Sequence, residues 1–180
     1  GTLTEYGAYQ KYNLKKRRWN VCSKGELMIL EKFYENPEIL HVGTEENRCY
    51  YVPLDVQEKE NARNLSGIDW KFGYYPNVES VPEFYKKDFD EEAFGRLEVP
   101  SCWQMLGFDQ KQYTNIRYPF PFDPPFVPDE NPCGAYIKYF DISAAEAKKE
   151  QYLYFEGVDS CFYVWVNGNF TGYSQVSHAI

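Results

Sequence analysis

The pattern of apolar and polar residues changes at Asn61. Leu65 to Tyr74 (LSGIDWKFGY) alternates large apolar with small or polar residues, the period-two pattern of a half-buried strand. Leu97-Glu98-Val99 reads as a brief strand halted by Pro100. Gly134 to Asp141 and Gln151 to Phe155 alternate in the same way, and Asp159 to Asn167 (DSCFYVWVN) is rich in β-formers. Asn167-Gly168 is a strong hairpin signal, with Asn169 to Ser174 returning as the partner strand. Val78 to Ala93 carries acidic residues and Pro82, which predicts a loop and a short helical turn.

Six prolines fall between Tyr118 and Pro132: Pro119, Pro121, Pro124, Pro125, Pro128 and Pro132. Proline fixes φ and removes a backbone donor, so this stretch cannot be a helix or a central strand. It predicts a stiff extended loop, suited to holding a neighbouring polar residue against a ligand. The first residues are less regular. Tyr6, Tyr9, Tyr12 and Leu14 suit a short strand or an exposed arm. Glu26 to Tyr34 suits one or two turns of amphipathic helix, stopped by Asn36-Pro37, and Glu45 to Glu60 reads as a loop. Short strands with turn signals and little helix predict a mainly β fold, an antiparallel β-sandwich of jelly-roll type. The organisation expected is an N-terminal arm over 1–60 and the sandwich over 61–180.

Composition supports this picture. The 180 residues include 17 Tyr, 13 Phe and 4 Trp, which argues against disorder and for pleated, aromatic-rich surfaces. A chain of this size buries roughly two-thirds of the surface its unfolded form exposes. Aromatics also suit sugar binding, because a ring face covers the apolar face of a pyranose, although most of them serve as core. The net charge of −8 disfavours nucleic acid and anionic lipid as partners. The basic run Lys15-Lys16-Arg17-Arg18 reads as a solvated turn. No stretch approaches the roughly 20 apolar residues of a membrane span.

Cys22, Cys49, Cys102, Cys133 and Cys161 form no CxxC pair, and His41 and His178 are the two histidines, which argues against a structural zinc site. Five reduced thiols fit a cytoplasmic protein. The sequons at Asn64 and Asn169 matter only in a secreted one. The acidic groups Glu45-Glu46, Asp90-Glu91-Glu92 and Asp129-Glu130 read as solvated surface, and no Ser or Cys hydrolase constellation is present.

An ordered string of motifs carries a resemblance. It begins with Val99-Pro100-Ser101-Cys102-Trp103-Gln104-Met105, Gly107-Phe108-Asp109, Tyr113-Thr114-Asn115 and Tyr118-Pro119. It continues through Pro124-Pro125-Phe126-Val127-Pro128-Asp129-Glu130-Asn131-Pro132-Cys133-Gly134. Phe155-Glu156-Gly157-Val158-Asp159-Ser160, Val166-Asn167-Gly168 and Gly172-Tyr173-Ser174-Gln175 complete it. Upstream, Tyr34-Glu35-Asn36-Pro37, Leu65-Ser66-Gly67, Trp70 and Phe72 extend it. Together these resemble the first domain of long, multidomain bacterial β-galactosidases of glycoside hydrolase family 2, over roughly residues 33 to 180. The Gly-Val-Asp-Ser and Asn-Gly portions are shared with β-glucuronidases and β-mannosidases.

The resemblance implies a jelly-roll sugar-binding domain placed ahead of immunoglobulin-like domains and a (β/α)8 barrel. It implies retaining hydrolysis of terminal β-D-galactosides by two barrel glutamates beyond this chain, so the 180 residues alone should be inactive. It places Asn115, the Asn of Tyr-Thr-Asn, in the galactose pocket, where an amide can both donate to and accept from a hydroxyl. A turn-capping Asn is the competing reading. Magnesium and sodium are implied for the whole enzyme. Asn36 matches one position of an outer metal site but Phe33 stands where an Asp is expected, so no metal is assigned to this chain. Partners implied are a galactoside, the remaining domains and further copies in a homo-oligomer, with Tyr34-Glu35-Asn36-Pro37 near the subunit contact. The family's jelly roll continues past Gly172-Tyr173-Ser174-Gln175, which predicts open edges and strand exchange or association for this chain alone. A freestanding carbohydrate-binding module, a mainly architectural piece and a β-glucuronidase domain are the alternatives.

Overall fold

A computed structural model describes residues 8–10 (as backbone), 31–47, 62–111 and 120–177. Among these, seven strands make one sheet: β1 (Ala8–Gln10), β2 (His41–Val42), β3 (Gly67–Tyr75), β4 (Gly95–Val99), β5 (Cys133–Ile137), β6 (Phe162–Val166) and β7 (Asn169–Ser174). Their spatial order is β2-β7-β6-β1-β5-β3-β4. The expected mainly β, largely antiparallel architecture of a β-sandwich domain is thus present. The pairs β2–β7, β6–β7, β3–β5 and β3–β4 are antiparallel.

β1 is the exception, parallel to both neighbours, with Ala8 opposite Tyr136 of β5 and Val164 of β6. β5 and β6 therefore run in the same direction, so a strand between them has one orientation relative to both.

Alternation decides which face each residue covers. On one side Ala135 and Ile137 join Tyr163, Trp165 and Tyr173, and the loop after β3 lays Phe84 and Tyr85 over them. Tyr85 stacks on Trp165 at 4.8 Å with an interplanar angle of 8°, and Phe84 meets the same indole edge-on at 5.8 Å. That loop begins in a 3-10 turn at Val78–Ser80, capped by the Asn77 side chain accepting the Ser80 N–H at 2.9 Å. On the opposite side Tyr136 joins Trp70, Phe72, Leu97 and Trp103. β5 is buried along its whole length because cores press on both its faces.

The β6–β7 hairpin turns as expected at Asn167 (φ 52°) and Gly168 (φ 81°), the paired positive values of a type I′ turn. Other expectations change. Gln151 to Phe155 forms no ladder; Tyr152 and Tyr154 are exposed, and the Gln151 side chain donates to the Glu146 carbonyl at 2.9 Å. Within it, Phe155 packs 4.8 Å from Phe162. Of Glu26 to Tyr34, the part before residue 31 lies outside the described residues; the remainder enters a single 3-10 turn, Phe33–Glu35, ended before Pro37. Tyr9 lies in β1, while Tyr6, Tyr12 and Leu14 lie outside the described residues.

Residues 31–42 are fastened to the sheet. The Phe33 ring stacks on Tyr163 at 5.9 Å and leans on Tyr173 at 5.2 Å. Tyr163 Oη donates to the Glu31 carbonyl at 2.7 Å and accepts the Phe33 N–H at 3.2 Å. Gln175 donates from Nε2 to the carbonyls of Asn36 at 3.0 Å and Ile39 at 2.7 Å.

Candidate sugar-facing site

Among the described residues, both ends of the motif series from Trp103 to Gly134 are anchored in the core. At the first end Trp103 opens a 3-10 turn, Trp103–Leu106, closed by Gly107 at φ 88°. Its indole is 2% exposed and packs 5.6 Å from Tyr74 and 6.0 Å from Phe72. Phe108 follows onto Phe72 at 4.9 Å, edge to face. At the second end the chain enters β5, where Gly134 lies directly beneath the indole. A Cβ there would stand 2.4 Å from Trp103 Cζ3 and 2.8 Å from Phe72 Cε2. Glycine is the residue that lets the two ends of the series touch.

Between these anchors, Asn115 falls in 112–119, outside the described residues. The loop from Phe120 to Asn131 contains no helix or strand, in keeping with its prolines. Its last residues close a polar cleft with the segment before β2 and the turn after β3. Tyr34, Lys32, Asn77 and Glu79 line one side, Val127 to Asp129 and Asn131 the other. Burial, reinforced by Glu79 and Glu35, pushes the Tyr34 phenol far above its usual range. Its own backbone N–H and Lys32, 3.3 Å away, hold the Glu79 carboxyl below the usual range. The cleft encloses ≈ 20 Å³, room for about one water and far too little for a sugar ring. Sequence reasoning missed it, because its walls come from three separated segments; the Asn77–Ser80 capping pattern was the one local signal.

Several described carboxylates are engaged away from this cleft. Glu91 meets Lys71 at 2.5 Å and accepts from Tyr139 Oη at 2.8 Å. Asp69 pairs with Lys138, Glu83 with Lys86, and Glu146 with Arg63 at 3.1 Å. Each displaced carboxyl among the described residues is displaced downward: Lys138 does this for Asp69, Lys86 for Glu83 and the Ser143 side chain for Glu146. A glycosidase acid needs the opposite shift.

Nor do the described residues form a group of three or more His, Cys, Asp or Glu able to hold a metal. Phe33, which stands where the resemblance expects an Asp, points its ring into the core, and Asn36 Oδ1 accepts the Glu38 N–H at 3.0 Å. No helix among these residues is long and apolar enough to cross a membrane.

Residues 62–179, the stretch that carries both anchors and the loop between them, match the family model "Glycosyl hydrolases family 2, sugar binding domain". The chain belongs to glycosyl hydrolase family 2. This family 2 domain is 42% identical over 162 residues to the β-galactosidase of Staphylococcus xylosus, covering 85% of the chain and 16% of the relative. It is 41% identical over 160 residues to the β-galactosidase of Actinobacillus pleuropneumoniae (84% and 15%) and 42% over 158 residues to that of Psychromonas ingrahamii (83% and 15%). The family 2 domain thus spans about a sixth of the length of the curated relatives it matches.

Proposed function

We propose that this family 2 domain serves a retaining β-galactosidase that cleaves terminal β-D-galactosides. In this reading it completes the galactose pocket with Asn115, supplies subunit contacts near Tyr34 to Pro37, and carries none of the catalytic carboxylates. The observation that carries the reading is that relatives about 40% identical across more than four-fifths of the chain are β-galactosidases.

Physical chemistry supports the division of labour. Retaining hydrolysis needs a nucleophilic carboxylate and a carboxyl acid about 5–5.5 Å apart across the glycosidic bond. The displaced carboxyls described here are all held ionised by cations or hydrogen-bond donors, the wrong state for protonating a leaving group. In this reading the domain's contribution is orientation: Asn115 presents an amide to a sugar hydroxyl. The cytoplasm is the compartment proposed, where cysteines stay reduced.

The test is a chromogenic β-galactoside offered to the 180-residue chain and to the longer polypeptide carrying it. The long form should turn it over and the chain alone should not. Turnover by the chain alone, abolished by an alanine substitution within it, would reverse the assignment. Galactose binding by the chain tighter than millimolar would instead indicate a freestanding module, and preference of the long form for β-glucuronides a glucuronidase.

A further inference from the structure

The sheet ends on one side in β2 and on the other in β4. β2 has two residues; β4 has five, Gly95 to Val99, and pairs only with β3 among the described strands. An outermost strand keeps a row of N–H and C=O groups that its own sheet leaves unpaired. Among the described residues, none of Gly95 to Val99 makes a hydrogen bond outside that ladder, and none makes an ion pair. Gly95, Arg96 and Glu98 are exposed. Alternation turns Leu97 into the core beside Trp70 and Phe72, so Arg96 and Glu98 stand together on the other face. Arg96 adds a weak pull on Asp69, a carboxylate that Lys138 already holds. Edge strands are commonly blunted by charge, and two charges of one sign would do that here. These two have opposite signs.

We infer that β4 is a contact between two copies of this chain, in which two β4 strands pair antiparallel about a two-fold axis at Leu97. The order of charges selects both the partner and the register. Centring on Leu97 places Arg96 opposite Glu98 of the second copy and Glu98 opposite its Arg96, with Cβ atoms about 4.5–5.5 Å apart. Centring instead on Arg96 or on Glu98 would set like charges against each other, which is unfavourable. In the same register Gly95 falls opposite Val99 of the second copy. The space beside Gly95 is open, the nearest atom to an added Cβ being 3.8 Å away, so the valine has room. Pro100, without an N–H, ends the pairing at Val99. A free edge alone would accept any strand; this one is its own complement. The contact lies at the opposite edge of the sheet from β2 and does not use Tyr34 to Pro37, so it stands apart from the subunit contacts proposed above.

Sedimentation velocity of the 180-residue chain over a concentration series tests this. The chain should pass from monomer to dimer as concentration rises. Arg96→Glu and Glu98→Arg should each weaken the dimer about tenfold, because each turns both opposed attractions into repulsions. The variant carrying both changes should dimerise as the unaltered chain does, which also shows that the substituted strand still folds. Net charge cannot produce this pattern, since Arg96→Glu makes the chain more negative and Glu98→Arg less so. In parallel, hydrogen exchange should slow with rising concentration at amides within Gly95 to Val99 and not at those of β6. A chain that stays monomeric, dimers equally tight in every variant, a double variant as weak as the single ones, or β4 exchange indifferent to concentration would each overturn the contact. No turnover is read, so this result stands or falls independently of the galactoside assignment.

Discussion

Trp103 and Gly134 touch so closely that a single methyl group on the glycine would stand 2.4 Å from the indole. The contact joins residues thirty-one positions apart and fixes where the intervening loop starts and finishes. Gly134→Ala should therefore cost about 1–3 kcal/mol, the usual penalty of overpacking a tight core. Trp103→Leu should cost stability alone, yet lessen the added cost of Gly134→Ala. A double-mutant cycle by urea unfolding reads this; additive penalties would mean the two residues do not share the constraint.

The β6–β7 turn offers a local counterpart. Gly168 holds φ at 81°, a region that L side chains enter at a cost of roughly 1–2 kcal/mol. Gly168→Val should lower stability by about that amount, whereas Asn167→Gly should be close to neutral. Thermal unfolding of the two variants checks the difference.

These two sites show what was legible in the sequence. Asn167-Gly168, the alternation of β3 and β6, and the proline loop could be read because their causes lie within a few residues. The Trp103–Gly134 contact could not, since nothing local tells a glycine beneath an indole from a glycine at a strand start. Gln151 to Phe155 has the pattern of a strand, but pairing needs a partner edge, which no pattern supplies. β1 was legible at most as a short strand of unknown place; its slot follows from the parallel course of β5 and β6. For the candidate site, the motif string pointed to the segment, while the Lys32–Tyr34–Glu79 cleft depended on tertiary assembly.

Gln175 ties the segment before β2 to the sheet through two carbonyl acceptors. Gln175→Leu should remove about 1–3 kcal/mol in total, at 0.5–1.5 kcal/mol for each bond. The loss should be local. Hydrogen exchange should rise at the amides of Phe33, Asn36 and Ile39, while β5 and β6 amides keep their protection.

The buried phenols set the alkaline limit of the fold. Burial, with Glu83 beside it, pushes Tyr85 up to about 12, and burial raises Tyr34, Tyr163, Tyr173 and the Cys133 thiol further above their usual ranges. Below the unfolded values, about 8.5 for Cys and 10 for Tyr, these groups are protonated in both states and stability is flat. Above them the unfolded chain loses protons that the fold retains, so stability falls with rising pH. Urea midpoints should drop from about pH 8.5, and steeply above pH 10. Phenolate absorbance should appear together with unfolding, and a complete titration of the tyrosines within the folded state would contradict the burial described.

The proposed division of labour has this domain supply an amide, and no catalytic carboxylate, to a β-galactoside site. Steady-state kinetics of the long polypeptide carrying Asn115→Ala separate that role from its alternatives. The value of kcat/KM for a chromogenic β-galactoside should fall about 5- to 150-fold, equivalent to roughly 1–3 kcal/mol for a stranded polar partner, with some turnover remaining. Unchanged kinetics, or complete loss of turnover in a folded variant, would contradict it.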